Sequence, residues 1–372
     1  MERKTLVILG NGFDLKCGLH SSYKDFFDHQ IKCYPNFKTL FEYLKNNKET
    51  SFNESKINEI IPLLSLEKEL SFFDLYFLVS DWRKGFLPTN KIWSTIEDIL
   101  LSGITASKNS ISFNICHSVF LSIKSKDYYF FYQDQYAEKI IGHYLYKLFD
   151  GETLSKNLYH DFLIKELNKF SINFARYITN QTSNNDEYIH EAQVLLAKIT
   201  GVGLNECKII SFNYTDPFIT PDSANIHGLA SKNEIVFGVT CDQGNGKEKC
   251  HHDWSYKMSK EYKIALIMSK GQKVSLDYNG IKDIYVYGLS LGEQDYDFFE
   301  NLFDQFDFLM RLYESRIHFC YSIYDGKTKD EVAEEITERV TNLINRFGDS
   351  HENYGLLSSM IQKGSLDIRF IE

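Results

Sequence analysis

The stretch Thr5-Leu-Val-Ile-Leu-Gly-Asn-Gly-Phe-Asp14 decides the fold of this chain. Its first five residues are a short apolar run of β-formers, and Gly10-Asn-Gly12 stops that run at once. The pattern predicts a buried strand that ends in a tight turn. Ser22 then stands where it can cap a helix. The apolar residues of that helix recur at helical spacing: Tyr23, Phe26, Phe27 and Ile31. We therefore expect the chain to open as strand, turn and helix.

The rest of the chain alternates between helical and strand patterns. From residue 37 to residue 199 long helical periodicity dominates. Strand signals return in four later runs: Cys207–Phe212, Glu234–Gly238, Asp283–Tyr287 and Arg316–Tyr321. This alternation predicts an α/β, Rossmann-like fold with a mainly parallel sheet. We expect residues 1–36 to be the first strand, turn and helix of a nucleotide-binding core. Residues 37–200 would be a mostly helical insertion, and residues 201–372 the remainder of the core.

The charge and the cysteines narrow the class of protein. The formal net charge is -10, and the basic residues are scattered, which argues against a protein that grips nucleic acid. The short apolar start is closed by Gly10, and no apolar run approaches the roughly 20 residues of a membrane-spanning helix. Seven cysteines at irregular spacing favour reduced thiols over a disulfide framework. We therefore expect a cytoplasmic protein with no membrane partner.

Three short segments follow predicted strands and contain glycine or polar residues: Gly10–Asp14, Ser211–Asp216 and Gly288–Gly292. The carboxyl ends of parallel strands meet at one crevice, so we expect these segments to lie near each other. Gly10 and Gly12 would let backbone N–H groups approach a phosphate. The alternative is a strand-to-helix turn that merely needs glycine. Asp14 could contact a ribose or could act as a local cap.

Two polar side chains are candidates for chemistry. Asn213 follows an apolar strand, where its carboxamide could hold a sugar hydroxyl or position a water, or could serve as a turn residue. His227 has a near-neutral intrinsic pKa that suits a general base, although a lone histidine before glycine is also typical of a structural residue.

The third segment repeats the arrangement of a glycine after a strand and adds a hydroxyl group. We expect Gly288 and Ser290 to face a ligand, and Asp295 to cap the following helix. Four residues could be imagined as zinc ligands, but they lack the paired short spacings of structural zinc sites: Cys241, Cys250, His251 and His252. A polar surface loop is the favoured interpretation, and no metal is expected.

The opening run from Leu6 to Leu15, followed by Gly18-Leu19 and by Ser21 to Phe26, resembles the N-terminal signature of AbiH-type bacteriophage abortive-infection proteins. Further elements of that family's pattern follow in its order: Ser211-Phe-Asn-Tyr-Thr215, Ile226-His-Gly228, Phe237-Gly238, Tyr287-Gly-Leu-Ser-Leu-Gly292 and Asp295. The resemblance spans most of the chain. It implies a role in defence against phage.

The same ordered segments are similar, more distantly, to those of sirtuins and sirtuin-like defence proteins that cleave NAD. That resemblance implies a sirtuin-like core in which Asn213 orders the nicotinamide ribose or the attacking water and His227 acts as base. It also implies that Gly10, Gly12, Gly288 and Ser290 hold the phosphate and ribose of the cofactor. Asn11 and Asp14 depart from the sirtuin pattern, and we expect them to contribute to cofactor binding as well. The paired-cysteine zinc module of deacetylating sirtuins is missing from the sequence, which disfavours protein deacetylation.

The leading hypothesis is thus an abortive-infection effector that binds NAD and hydrolyses its nicotinamide glycosidic bond. A non-enzymatic nucleotide sensor is the main alternative, and a nuclease ranks last because the chain is acidic and shows no convincing cluster of metal-binding carboxylates. The expected partner is a small nucleotide. The sequence leaves open a phage or host protein as trigger, and a homo-oligomeric state.

Overall fold

The computed structural model describes residues 5–47, 54–83, 96–105, 111–125, 136–218, 220–239, 254–271, 274–307 and 315–372. The chain divides into two compact units. The first comprises residues 1–21, 178–232 and 267–372, and the second comprises residues 22–177 and 233–266. The bounds of the predicted insertion, residues 37–200, differ from those of the second unit at both ends.

The strands that the structure describes are β1 (Thr5–Leu9), β2 (Cys207–Ser211), β3 (Ser223–Asn225), β4 (Gly228–Leu229), β5 (Glu234–Ile235), β6 (Asp283–Tyr287), β7 (Arg316–Tyr321) and β8 (Leu366–Phe370). Six of them form one sheet in the order β3-β2-β1-β6-β7-β8. All neighbouring strands in it are parallel. The short strands β4 and β5 lie outside this sheet. Without them the strand order is 3-2-1-4-5-6, which is an order of doubly wound dinucleotide-binding folds.

The described α-helices are α1 (Asn11–Lys16), α2 (Tyr23–Cys33), α3 (Pro35–Asn46), α4 (Glu54–Leu64), α5 (Phe72–Arg83), α6 (Ile96–Thr105), α7 (Phe113–Ser125), α8 (Tyr136–Leu148), α9 (Lys156–Thr182), α10 (Asp186–Thr200), α11 (Lys260–Ser269), α12 (Glu293–Gln305), α13 (Lys329–Ser350) and α14 (Leu356–Lys363). Helices α2 to α8 belong to the second unit, whereas α1, α10 and α12 to α14 belong to the first. The boundary between the units falls within α9 and α11.

The sheet of the first unit is covered on both faces, as a parallel sheet requires. Leu6 and Ile8 of β1 belong to one core cluster, which includes residues of α12, α13 and α14. Val7 and Leu9 belong to the opposite cluster, which includes residues of α10 and Phe13 of α1. Because successive side chains of a strand point to opposite faces, the four apolar residues Leu6 to Leu9 of β1 supply both clusters.

The second unit is helical and has an aromatic interior. The Phe26 ring lies 5.6 Å from that of Phe170 and 5.2 Å from that of Phe174, edge to face in both cases. Helix α2 begins with a capping box in which the Ser22 hydroxyl accepts from the Asp25 N–H and the Asp25 carboxylate accepts from the Ser22 N–H. The predicted cap at Ser22 is therefore confirmed.

The predicted α/β fold, with its parallel sheet and large helical content, is confirmed. Three details differ. The sequence predicts a strand over Glu234–Gly238, but only Glu234–Ile235 forms one, and it lies outside the six-stranded sheet. Two strands of that sheet, β3 and β8, were not predicted; each lies at an edge, where polar residues are tolerated.

Candidate functional site

The three segments singled out from the sequence follow β1, β2 and β6. These strands are in level register, since Leu9 pairs with both Ser211 and Tyr287. Within the sheet, β2 and β3 lie on one side of β1, and β6 lies on its other side. The boundary between β1 and β6 is thus the switch point at which doubly wound sheets bind ligands.

The turns after β1 and β6 pack directly against each other. The Gly10 N–H donates to the Tyr287 carbonyl oxygen at 2.9 Å, and the Gly12 N–H donates to the Gly288 carbonyl oxygen at 2.8 Å. A Cβ atom on Gly10 would lie 2.5 Å from the Gly288 carbonyl oxygen. Close packing therefore requires glycine at these turns, and protein carbonyls occupy the N–H groups of Gly10 and Gly12. Phosphate binding by these turns remains a prediction.

Asp14, on α1, is the centre of a buried polar network. Its carboxylate oxygen Oδ1 accepts from the Tyr188 hydroxyl at 2.9 Å and from the Asn213 amide Nδ2 at 3.0 Å. Its Oδ2 accepts from the Thr215 hydroxyl at 2.8 Å. Asp14 is 1% exposed. Burial raises its pKa to about 6, because loss of hydration disfavours the ionised form more than the three hydrogen bonds favour it.

Asn213 follows β2 and is also buried. Its side chain donates to Asp14, whereas its carboxamide oxygen Oδ1 has no hydrogen-bond partner among the described residues. Its backbone is fixed on both sides. The Asn213 N–H donates to the Ser211 hydroxyl, and the Asn225 amide donates to the carbonyl oxygens of Asn213 and Thr215. A buried acceptor without a donor costs free energy, which makes this oxygen a candidate contact for a ligand or a water.

A small cleft joins these groups at the ends of β1, β2 and β3. Its polar lining includes Asp14, Asn213 and Thr215. Its apolar lining includes Phe13 and Phe218. Its volume of about 10 Å³ leaves room for one water-sized polar group beside the buried carboxyl. We call it the Asp14 cleft.

His227 lies two residues beyond β3. Its ring meets the Phe212 ring edge to face, with centroids 5.3 Å apart, and stacks on the Tyr214 ring at 6.2 Å. Phe212 and Tyr214 flank Asn213 in the chain, so the fold brings His227 close to the segment that carries Asn213. Its role as base remains a prediction.

Ser290 lies in the turn after β6 and is exposed. Its hydroxyl donates to the Asp295 carboxylate at 3.2 Å and accepts from the Gly292 N–H at 3.4 Å. The Arg339 guanidinium donates to the Ser290 carbonyl oxygen. Asn11, also exposed, accepts from the Ser21 hydroxyl at 2.6 Å. Ser290 and Asn11 therefore stabilise the loops that flank the switch point, and ligand contact by either side chain stays a prediction.

Sequence reasoning missed Tyr188 and gave Thr215 no role at the site. Thr215 lies within a segment already singled out, so its position could have drawn attention. Tyr188 lies on α10, 174 residues from Asp14, and no local signal links the two. The imagined zinc ligands, Cys241 to His252, lie outside the described residues.

The comparison with protein families identifies the chain. Residues 6–313 match the family model described as bacteriophage abortive infection AbiH. The chain belongs to the AbiH family. Its role is therefore anti-phage abortive infection. Searches among curated proteins and among solved structures found no match, so the likeness to sirtuins is not shown. Within the described ranges, no helix combines the length and apolar character needed to cross a membrane.

Proposed function

We propose that this AbiH-family protein is an abortive-infection effector that binds NAD at the Asp14 cleft and hydrolyses the bond between nicotinamide and ribose. One observation carries the proposal. At the carboxyl end of β2, Asn213 holds a buried carboxamide oxygen that has no hydrogen-bond partner in the part of the chain that the structure describes. It lies next to the Asp14 carboxyl, in a cleft at the ligand-binding edge of a parallel sheet.

The chemistry requires stabilisation of positive charge on the ribose as the bond to nicotinamide breaks. The Asn213 oxygen would accept from a ribose hydroxyl or from the attacking water. His227 would take up a proton as general base. Fixed polar groups in a cleft that excludes water lower such a barrier through orientation and electrostatics. No metal has a part in this scheme.

The remainder of the nucleotide would cross the switch point between β1 and β6. Gly10, Gly12 and Gly288 allow the two turns to pack directly on each other. The diphosphate would lie over the backbone of these turns. The exposed side chains of Asn11 and Ser290 would contact the phosphate or ribose from the flanking loops.

A second candidate function is a nucleotide sensor that does not turn over its ligand. It is favoured by the burial of the reactive groups: Asp14 is 1% and Asn213 4% exposed. A ligand must displace part of the cleft wall to reach them, and such a rearrangement could signal to a partner without any bond being broken. A phage or host protein would then be the recipient of the signal.

The test is proton NMR on the purified full chain mixed with NAD. Saturation transfer reports binding, and the free nicotinamide signals report cleavage over time. Asn213→Ala and His227→Ala remove the two proposed groups. Asn301→Ala, on the exposed surface of α12, is the matched control for the first, and His351→Ala, at the end of α13, is the control for the second.

Nicotinamide release that is lost in both site variants and retained in both controls supports the proposal. Binding without release favours the sensor. If the folded wild-type protein neither binds NAD nor releases nicotinamide, the NAD proposal is wrong and only the family role remains.

A further inference from the structure

The oxygen atoms of Asp14, Tyr188 and Thr215 form a closed ring of short contacts. The Tyr188 hydroxyl lies 2.9 Å from Asp14 Oδ1 and 3.0 Å from the Thr215 hydroxyl, which in turn lies 2.8 Å from Asp14 Oδ2. All three contacts are at hydrogen-bond distance and all are buried. This ring is more than a set of donors around a carboxylate, because its two hydroxyl groups also face each other.

The ring can be satisfied only if it holds three protons. Each hydroxyl group supplies one proton, and an ionised carboxylate supplies none. With Asp14 ionised, one of the three contacts has no proton between its oxygens. With Asp14 protonated, each member donates once around the ring, and the Asn213 amide still donates to Asp14 Oδ1. The two hydroxyl groups can both donate to Asp14 when it is ionised, and they form a closed ring with it when it is protonated. The ring therefore accommodates both protonation states of Asp14, as an acid–base residue requires.

We propose that Asp14 is a catalytic acid–base residue of this site, and that Tyr188 and Thr215 are positioning residues that control when it carries its proton. This role rests on the proposed hydrolysis of NAD. It differs from the ribose contact expected from the sequence. It assigns the proton of the attacking water to Asp14, which lies within the cleft itself, and leaves His227 as the base for a ribose hydroxyl.

The ionised Asp14 carboxylate takes a proton from the attacking water, so one O–H bond of the water breaks and a carboxyl O–H bond forms. The water oxygen bonds to C1′ of the ribose. The C1′–N bond breaks, its electron pair goes to the nicotinamide ring nitrogen, and neutral nicotinamide leaves. The proton held by Asp14 is then released to solvent.

The neighbouring titratable groups leave Asp14 as the member of the ring that titrates near neutrality. Burial and the Asp14 charge raise the pKa of Tyr188 far above its ordinary value. Burial, together with the charges of Asp14 and Glu191, raises the pKa of the Cys17 thiol to about 12. Burial also raises the pKa of Asp216, which lines the same cleft. The pKa of Asp14 itself is raised to about 6.

The test combines two measurements on the full chain. The carboxyl ¹³C signals of protein labelled at aspartate are titrated without NAD, and Asp14→Asn identifies the Asp14 signal; we expect its midpoint at about 6. Nicotinamide release is then followed against pH. Asp14→Asn keeps the size and the neutral charge of the protonated Asp14 side chain, and it should lower kcat by at least about 100-fold. Its KM should change far less than its kcat.

Tyr188→Phe and Thr215→Val test the positioning role through the pH dependence of the rate, which a purely structural role of these residues would leave unchanged. Each removes a hydrogen bond that lowers the Asp14 pKa, so each should shift the acid limb of the rate profile to higher pH. Turnover by Asp14→Asn at the wild-type rate, or unshifted limbs in both other variants, overturns the acid–base role while the proposed hydrolysis stands. Failure of the wild-type protein to release nicotinamide overturns the hydrolysis and this role together.

Discussion

Gly12 and Gly288 are joined through their backbones, with the Gly12 N–H donating to the Gly288 carbonyl oxygen at 2.8 Å. Since Gly12 follows β1 and Gly288 follows β6, the bond ties together the two turns at the switch point of the sheet. Gly288 has a φ of 75°, and a Cβ atom on it would lie 2.4 Å from the Phe13 backbone nitrogen. The glycines of both turns are therefore required by packing, whether or not a ligand binds there.

We expect Gly288→Ala to be among the most destabilising substitutions in the first unit. It combines a left-handed backbone, which costs a side chain roughly 1–2 kcal/mol, with a backbone clash that forces the two turns apart. Gly364→Ala is the matched control, because Gly364 has a φ of 64° and open space around it. The free energy of unfolding, measured by urea denaturation with circular dichroism, should fall in the control only by the cost of the left-handed backbone. Equal losses in the two variants would contradict the packing argument.

The fold was largely predictable because its central strands carry strong local signals. The apolar runs at β1, β2, β6 and β7 must be buried on both faces, and this alone indicates a parallel sheet. The edge strands were not predictable. β3 is the three-residue polar segment Ser223–Asn225. In β8, charged and partly exposed residues alternate with apolar ones. Neither strand shows the apolar run by which the central strands were recognised.

The site was predictable only in part, because its connections run between distant segments. Asn213 and Asp14 could be chosen because each follows a predicted strand. Their hydrogen bond, and the Tyr188 hydroxyl that completes the network from α10, depend on tertiary packing that no spacing in the sequence encodes. The glycines were chosen as phosphate ligands, but the packing of one turn on the other supplies a sufficient physical reason for them.

The stability of the protein should depend on pH through Asp14. Burial raises its folded pKa from the ordinary value of 3.8 to about 6. The folded state thus binds the proton more tightly than the unfolded state does. The stabilisation is complete below about pH 3.8 and is lost as the pH rises through about 6. Relative to Asp14→Asn, the wild-type free energy of unfolding should rise by on the order of 3 kcal/mol between about pH 7 and about pH 4.

The matched comparison for that experiment is Asp74→Asn in the second unit. Asp74 is also fully buried, and its pKa is likewise raised to about 6, mainly by burial. Its partners are Ser71 and Gln30, which also belong to the second unit. The wild-type free energy of unfolding, relative to either variant, should change with pH in the same direction. Only Asp14→Asn should affect the hydrolysis of NAD. A wild-type protein that loses stability relative to Asp14→Asn as the pH falls from about 7 would show that Asp14 is ionised more readily when folded.

The ring of hydroxyl groups should behave as a unit. Tyr188→Phe and Thr215→Val each remove one proton and one acceptor from it, so the second substitution finds a ring already broken. We expect a coupling energy of roughly 0.5–3 kcal/mol in a double-mutant cycle measured by urea denaturation. Tyr188→Phe combined with Asn301→Ala is the control pair, and its effects should add. Additive effects in the first pair would show that the Tyr188 and Thr215 hydroxyls do not interact.

Protection of cells against phage should depend on the Asp14 cleft. Asn213→Ala removes the carboxamide oxygen proposed to meet the ligand and leaves Asp14 with one donor fewer, while Asp14→Asn removes the titratable group. The assay uses a phage that the wild-type protein restricts. On cells that carry either variant, the phage should form plaques as efficiently as on cells without the protein. Cells that carry Asn301→Ala should remain protected. Immunoblots of the soluble fraction check that each variant is folded. Full protection by soluble Asn213→Ala would place the effector site elsewhere in the chain, because a cleft that acts through this carboxamide cannot work without it.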